Sequence, residues 1–409
     1  MLSLLHPSSR ARGARAGRAA LALSVAGLLG LSACSSPESS SPSESSAAPS
    51  GDALTITDVL GREVSFEHQP ERIILGESRS LFATSALDRE HPLDKVVGMG
   101  TDLQDNVPDY YSKLVEAVPS VKDIPEIGSF QKGDVALENL INLDADVLVL
   151  SQDQYDAAKT TGTTDKLDSL GLRYIVTDFR AHPLENTTRS MEIFGKLFDK
   201  EEAAQDFNQD WSRVVDMVRE RGAKATSKPR TFVWRAAGLS DCCGTWNNSN
   251  ISELVNVAGG ENVGDSVLDG ESVTLTPEKV IDLDPDVIIA TGGDWATKKD
   301  KDGNPATFAS AGYGISMADA EKSLQHLPSV QPAFDLLRAP KEGNLYAIWH
   351  QFYNSPFNYL ALLQIAQWLH PEDYTDVDVA KEWKDAHEKY APFSGEGAFF
   401  VSTPRGAEK

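Results

Sequence analysis

One twelve-residue pattern occurs twice in this chain. Residues 138–149 read ENLINLDADVLV and residues 278–289 read EKVIDLDPDVII, 140 positions apart; Glu138/Glu278, Ile141/Ile281, Leu143/Leu283, Asp144/Asp284, Asp146/Asp286 and Val147/Val287 are identical. Each copy joins a helical signal to a strand signal. Leu137, Leu140 and Ile141 recur at helical spacing, whereas DVLVL is a continuous apolar run of strand length, suited to a parallel sheet covered by helices on both faces. In the second copy Thr276 can cap the helix, Pro277 suits its first position, and Glu278 lies where the helix dipole favours a carboxylate. A unit of helix, Asp-x-Asp turn and buried strand, written twice in 409 residues, predicts two similar α/β lobes.

Other segments fill out the two halves. RIILG (72–76), VVGMG (96–100) and RYIVTD (173–178) read as strands in the first half, RTFVWR (230–235) and NLYAIW (344–349) in the second, and PERIIL and KPRTFVW open the halves alike. Between them, Met191, Phe194, Leu197, Phe198, Phe207, Trp211, Val214, Val215 and Val218 recur at helical spacing, which predicts one long amphipathic helix over 183–224 bridging the lobes. The expected division is 54–182 for the first lobe, 183–224 for the bridge and 225–409 for the second lobe. The polar, Gly- and Pro-punctuated stretch 297–316 reads as a surface loop.

The first 34 residues belong to neither lobe. Arg10, Arg12, Arg15 and Arg18 precede the apolar run AALALSVAGLLGL (19–31), which reads as an export signal and is too short to span a bilayer. LSAC, ending at Cys34, resembles a bacterial lipoprotein box, so Cys34 is the expected lipidation site. The Ser-rich stretch that follows, within 35–53, lacks the apolar content to form a core and reads as a flexible tether. A lipid anchor, a tether and a globular body place the protein on the extracytoplasmic face of the cell membrane. A net charge of −23, with no basic cluster after the signal, argues against nucleic acid as a partner. Cys242 and Cys243 are adjacent and form either a vicinal disulfide or a buried thiol pair.

Taken in order, Thr57-Asp58, Gly61-Arg62, Val64, Pro70 and Arg72-Ile73-Ile74, then IGSF (127–130), the doubled unit, LGLRYIVTD, LVNVAGGENV (254–263) and LALLQIAQWLHPE (360–372) resemble the substrate-binding proteins of ABC importers for ferric siderophores and vitamin B12. The resemblance covers about residues 54 to 372. It implies two α/β lobes bridged by a long helix, ligand held in the cleft between them, a monomer, and a membrane permease as partner. It also implies that a glutamate on each lobe, Glu138 and Glu278 here, docks on permease arginines.

Ligands of open α/β sheets gather at the carboxyl ends of the strands. That rule nominates Glu77 to Ser80, Thr101-Asp102, Gly128 to Phe130, Gln152 to Tyr155 and Phe179 to His182 in the first half. In the second it nominates Arg235, Cys242 to Asn247, Gly292 to Trp295, and Trp349 to Asn354. Arg79, Arg180 and Arg235 suit an anionic chelate, and Trp246, Trp295, Trp349 and Tyr353 offer flat faces to a large organic ligand. Ser129, Phe130 and Tyr155 complete the candidate cleft. His182 and His350 fall in loops of opposite halves and, with Tyr155 or Tyr353, form a candidate haem-iron ligand set. No close histidine pair seeds a zinc site, and neither a phosphate loop nor a Gly-x-Ser-x-Gly elbow occurs. The reading is therefore a non-enzymatic receptor without a resident cofactor, for a ferric siderophore. Haem or cobalamin is the alternative ligand, and a surface sensor or enzyme the alternative class.

Overall fold

The computed structural model describes residues 53–239, 242–266, 270, 272–295, 298, 307–332 and 334–403. The signal, Cys34, all but the last residue of the tether, and much of the 297–316 stretch lie outside them.

Both copies of the repeat fold as read. Leu137–Asn142 and Pro277–Leu283 are helices, and Val147–Ser151 and Val287–Gly292 are buried strands. Asp144 and Asp284 turn the chain between them in the left-handed region, at φ 47° and 37°, which a short polar side chain tolerates. Two residues on, Asp146 accepts the Arg72 N–H at 2.9 Å, and its own N–H donates to the Arg72 carbonyl at 2.8 Å. Asp286 makes the same two bonds with Arg230, at 2.9 and 2.8 Å. Arg72 and Arg230 in turn donate to the carbonyls of Leu143 and Leu283 at 2.7 and 2.5 Å. Each repeat is thereby clamped to the start of a neighbouring strand, with Val147 opposite Ile73 and Val287 opposite Thr231.

The first-lobe sheet has the order Val96–Met99, Ile73–Leu75, Val147–Ser151, Tyr174–Thr177, all parallel. The second has the order Phe400–Ser402, Leu345–Trp349, Val287–Gly292, Arg230–Trp234, Glu261–Asn262, parallel except for Phe400–Ser402 at its edge. In both sheets the repeat strand is internal, which explains its unbroken apolar run.

The bridge differs from the single helix read over 183–224. It consists of two helices, Pro183–Phe198 and Glu201–Lys224, and Asp199 between them adopts a left-handed φ of 55°. They fold back side by side, with Asn208 Nδ2 donating to the Thr188 carbonyl at 2.9 Å. Close approach requires Gly195, where a Cβ would stand 2.7 Å from that of Ala204. Glu201 and Glu202 occupy the first turn of the second helix, where its dipole favours them. The predicted apolar stripe is nevertheless buried throughout. The 24-residue second helix packs on Leu81–Leu87 of the first lobe and on Asn358–Leu369 of the second, and is the actual bridge.

The 297–316 stretch also departs from expectation, because its described end is not a surface loop. Ala309, Ala311 and Tyr313 are buried, and Gly312–Tyr313 pairs with Gly397–Ala398 near the C-terminus. This ribbon meets the first lobe where the Tyr313 N–H donates to Asp109 at 2.9 Å and Tyr110 packs against the Tyr313 ring. His387 and Phe399 also pack on that ring, and Trp383 packs on both of them.

The clamp predicts a pH-dependent contribution to stability. Burial opposes ionisation of Asp286, yet the Arg230 N–H and the Arg338 guanidinium, 2.7 Å away, hold its carboxyl below the ordinary value. A depressed carboxyl stabilises the fold above its unfolded pKa of about 4 and loses that effect as the pH falls through the folded value. Asp286→Asn should therefore lower the unfolding free energy by about 1 kcal/mol at neutral pH and by much less near pH 3, measured by urea denaturation at both pH values.

Candidate functional site

The strand ends of the two lobes face each other and carry charged loops. After Ile73–Leu75, Asp102 organises the first of these by accepting the Ser78 N–H at 2.7 Å and the Arg79 Nε–H at 2.8 Å. Arg79 also donates to Glu77 at 2.8 Å, and Asn354 of the second lobe donates to the other Glu77 oxygen at 2.9 Å. Burial pushes the Glu77 carboxyl up, although Arg79 opposes it. Arg79 is only 4 % exposed and bonded to two carboxylates. It is thus not the free cation that the sequence reading assigned to the ligand. Its remaining contact is with the Tyr353 hydroxyl.

After Tyr174–Thr177, the Asp178 carboxylate accepts the N–H groups of Arg180, Ala181 and His182 at 2.8, 2.7 and 3.0 Å, fixing that loop. Arg180 pairs with Asp153 and lies 5.1 Å from the Tyr353 ring. Asn250 joins the lobes here, donating to the carbonyls of Arg180 and Tyr353 at 2.8 and 3.0 Å.

Arg235 follows Arg230–Trp234 in the second lobe. It meets the Ser272 hydroxyl and lies 5.8 Å from the Trp246 ring, with no carboxylate partner among the described residues. Burial and the nearby Arg180 both disfavour its charge and lower its pKa. His350 follows Leu345–Trp349; its Nδ1 is 2.8 Å from the Thr291 hydroxyl at the end of the second repeat strand. Burial, and then Arg79, Arg180 and Arg235, pull its imidazole down to about 3, so it is neutral at physiological pH. Tyr353 stacks on it at 4.4 Å and Trp295 meets it edge-on at 5.3 Å. Trp246 stacks on Tyr353 at 6.3 Å.

The structure thus gathers Arg79, Arg180, Arg235, Trp246, Trp295, His350 and Tyr353, and leaves other predicted residues elsewhere. Tyr155 packs on Tyr174, with the Arg62 guanidinium 5.0 Å from its ring. Phe130 belongs to the first-lobe core, and the Ser129 N–H is held by Asp134 at 2.6 Å. Trp349 is core, packed against Phe82 and Phe352. His182 Nδ1 bonds Glu253 at 2.6 Å, whereas His350 Nδ1 lies against Thr291. Glu77, Asp102 and Asp153 lie in the nominated loops but were not read as partners of the cations there, and Glu253 lay outside every nominated loop.

Glu138 and Glu278 are exposed in the first turns of the repeat helices and make no ion pair among the described residues. Cys242 and Cys243 are joined in a vicinal disulfide at the base of the ribbon formed by Gly244–Trp246 and Ser272–Thr274. Between the lobes, Glu77, Arg79, Ser80, Ser151, Thr177, Phe179 and Asn354 enclose a void of only about 10 Å³. A far larger recess, about 440 Å³ between the two bridging helices, lies away from every strand end and carries none of this chemistry.

Comparison with known proteins bears on these features. The chain is 24% identical over 265 residues to the uncharacterized ABC transporter substrate-binding lipoprotein YvrC of Bacillus subtilis, covering 64% of this chain and 77% of that one. It is 26% identical over 106 residues to the high-affinity heme uptake system protein IsdE of Staphylococcus aureus, covering 26% of this chain and 36% of that one. The crystal structure of the TroA-like periplasmic binding protein FepB from Veillonella parvula superposes with a TM-score of 0.76 at 25% identity, covering 86% of this chain and all of that one. The sequence profile of periplasmic binding proteins matches residues 74–310, more than half of the chain, from the first-lobe sheet into the second lobe. The chain belongs to the periplasmic binding protein family.

Proposed function

We propose that this protein is the extracytoplasmic receptor of an ABC importer, capturing a ferric siderophore between its lobes and passing it to the membrane permease without chemical change. The observation that carries this reading is Arg235, a half-buried guanidinium beside Arg180 with no carboxylate partner among the described residues. Two cations that disfavour each other, next to Trp246, Trp295 and His350, are relieved by a ligand combining negative charge with flat apolar surface. The likeness to YvrC, a substrate-binding lipoprotein by name, supports the transport role. Titration of the protein with ferric siderophores, haem and cobalamin, followed by tryptophan fluorescence, should show tight binding of a ferric siderophore. Arg235→Ala should weaken it roughly 10- to 100-fold, the loss of one charged hydrogen-bonding partner. Silence with all three ligands would remove the receptor reading.

Haem is the second reading. It is favoured by the neutral His350, whose Nδ1 lies against Thr291 and leaves Nε2 as the candidate iron ligand, and by the likeness to a heme uptake protein. A haem complex whose Soret band is unchanged by His350→Ala would exclude that ligation.

Glu138 and Glu278 are the proposed permease contacts, one on each lobe. Replacing both with alanine should abolish uptake while leaving ligand affinity in solution intact; undiminished uptake would remove the assignment. Cys34 is the proposed lipid attachment site. Cys34→Ser should abolish palmitate labelling and release the protein from membranes, and persistent labelling would place the anchor elsewhere.

A further inference from the structure

We propose that Tyr353 is a displaceable stand-in for ligand, filling a site built for an aryl-oxygen anion such as the catecholate or phenolate arm of an iron chelate. The inference rests on the receptor reading and names the ligand chemistry that the site selects. Arg79 is fixed by Glu77 and Asp102, and its remaining guanidinium nitrogen is bonded to a phenol oxygen, that of Tyr353. The Arg180 guanidinium lies 5.1 Å from the phenol ring, and the His350 ring stacks on it at 4.4 Å. Cation, oxygen acceptor and stacking surface are therefore already arranged around an aryl-oxygen group, and that group is supplied by the protein itself.

Tyr353 is also less enclosed than its neighbours Phe352 and Asn354. On His350–Asn354, Phe352 is fully buried in the core and Asn354 is tied to Glu77, whereas Tyr353 is only half-buried. Its carbonyl is held by Asn250, so the backbone stays in place while the side chain rotates. The void beside Arg79 is only about 10 Å³, too small for a ligand arm, so an arm that bonds Arg79 must displace a side chain, and Tyr353 is the one bonded there. An incoming aryl oxygen restores the Arg79 bond that Tyr353 gives up, so the exchange is nearly neutral in hydrogen bonding. A ligand without such an oxygen leaves the buried Arg79 donor unpaired.

The test uses Tyr353→Ala and Tyr353→Phe in the otherwise intact protein, with the ferric complex of 2,3-dihydroxybenzoate as probe and toluene as a neutral ring of similar size. Tryptophan fluorescence should show Tyr353→Ala binding the ferric complex at least tenfold more tightly than the parent protein. Tyr353→Phe, which keeps the ring but loses the oxygen, should show a smaller gain, and toluene should bind neither variant. Affinity of Tyr353→Ala equal to or below that of the parent overturns the proposal, since Tyr353 would then be a bystander or a direct ligand contact. Toluene binding comparable to that of the ferric complex also overturns it, because the vacated space would be an unselective void. If Tyr353→Ala does not fold, a gain or loss in Tyr353→Phe decides the point. Failure of the parent and both variants to bind any ferric chelate removes the receptor reading as well; retained chelate binding without a gain removes this proposal alone.

Discussion

The fold depends on a carboxylate placed two residues after a tight turn. Asp146 and Asp286 each accept the N–H of an arginine that opens a neighbouring strand, and each arginine answers by bonding the carbonyls that end the repeat helix. The exchange satisfies groups that a helix end and a strand start would otherwise leave unpaired. It also sets the register of the two strands, since Ile73 and Thr231 follow those arginines and face Val147 and Val287. With that register fixed, the loops at the strand ends of each sheet are held at defined positions. Those of the two lobes meet as one surface.

At that surface, charge must be balanced within a nearly dry interior. Glu77, Arg79 and Asp102 form a buried triad in which each charge has an opposite partner and hydrogen bonds, as the cost of desolvating them requires. Arg180 has Asp153, and Arg235 has only a hydroxyl and an aromatic face among the described residues. Arg235 is therefore the cation with the fewest partners among the described residues, while Arg79, the most buried, is tied into the scaffold on two sides. The neutral His350 follows first from its burial and then from the same field of three guanidiniums.

Features set by local pattern were legible in the sequence. The seven principal parallel strands of the two sheets coincide with continuous apolar runs, and the doubled motif announced two lobes. The break at Asp199 falls in the gap between Phe198 and Phe207, where the stripe loses its phase; that gap and the acidic pair Glu201-Glu202 were the local clues. The site was less legible still. Glu77 and Asn354 are 277 positions apart, and no periodicity links an acid to a partner that only the tertiary fold delivers. Trp349 and His350 are adjacent, yet one enters the core and the other faces the cleft. A strand end alternates faces, and the sequence does not say which face is which.

The seam between the lobes is completed by the end of the chain. Gly397–Ala398 pairs with the ribbon that holds Tyr313 against Asp109, and Phe400–Ser402 forms the edge of the second sheet. Asp109, Tyr313 and Ala398 are far apart along the chain, and contacts of such long separation cost the most chain entropy to close. Each sheet can form from nearer segments, so the costly step in bringing the lobes together lies at this seam rather than within either lobe.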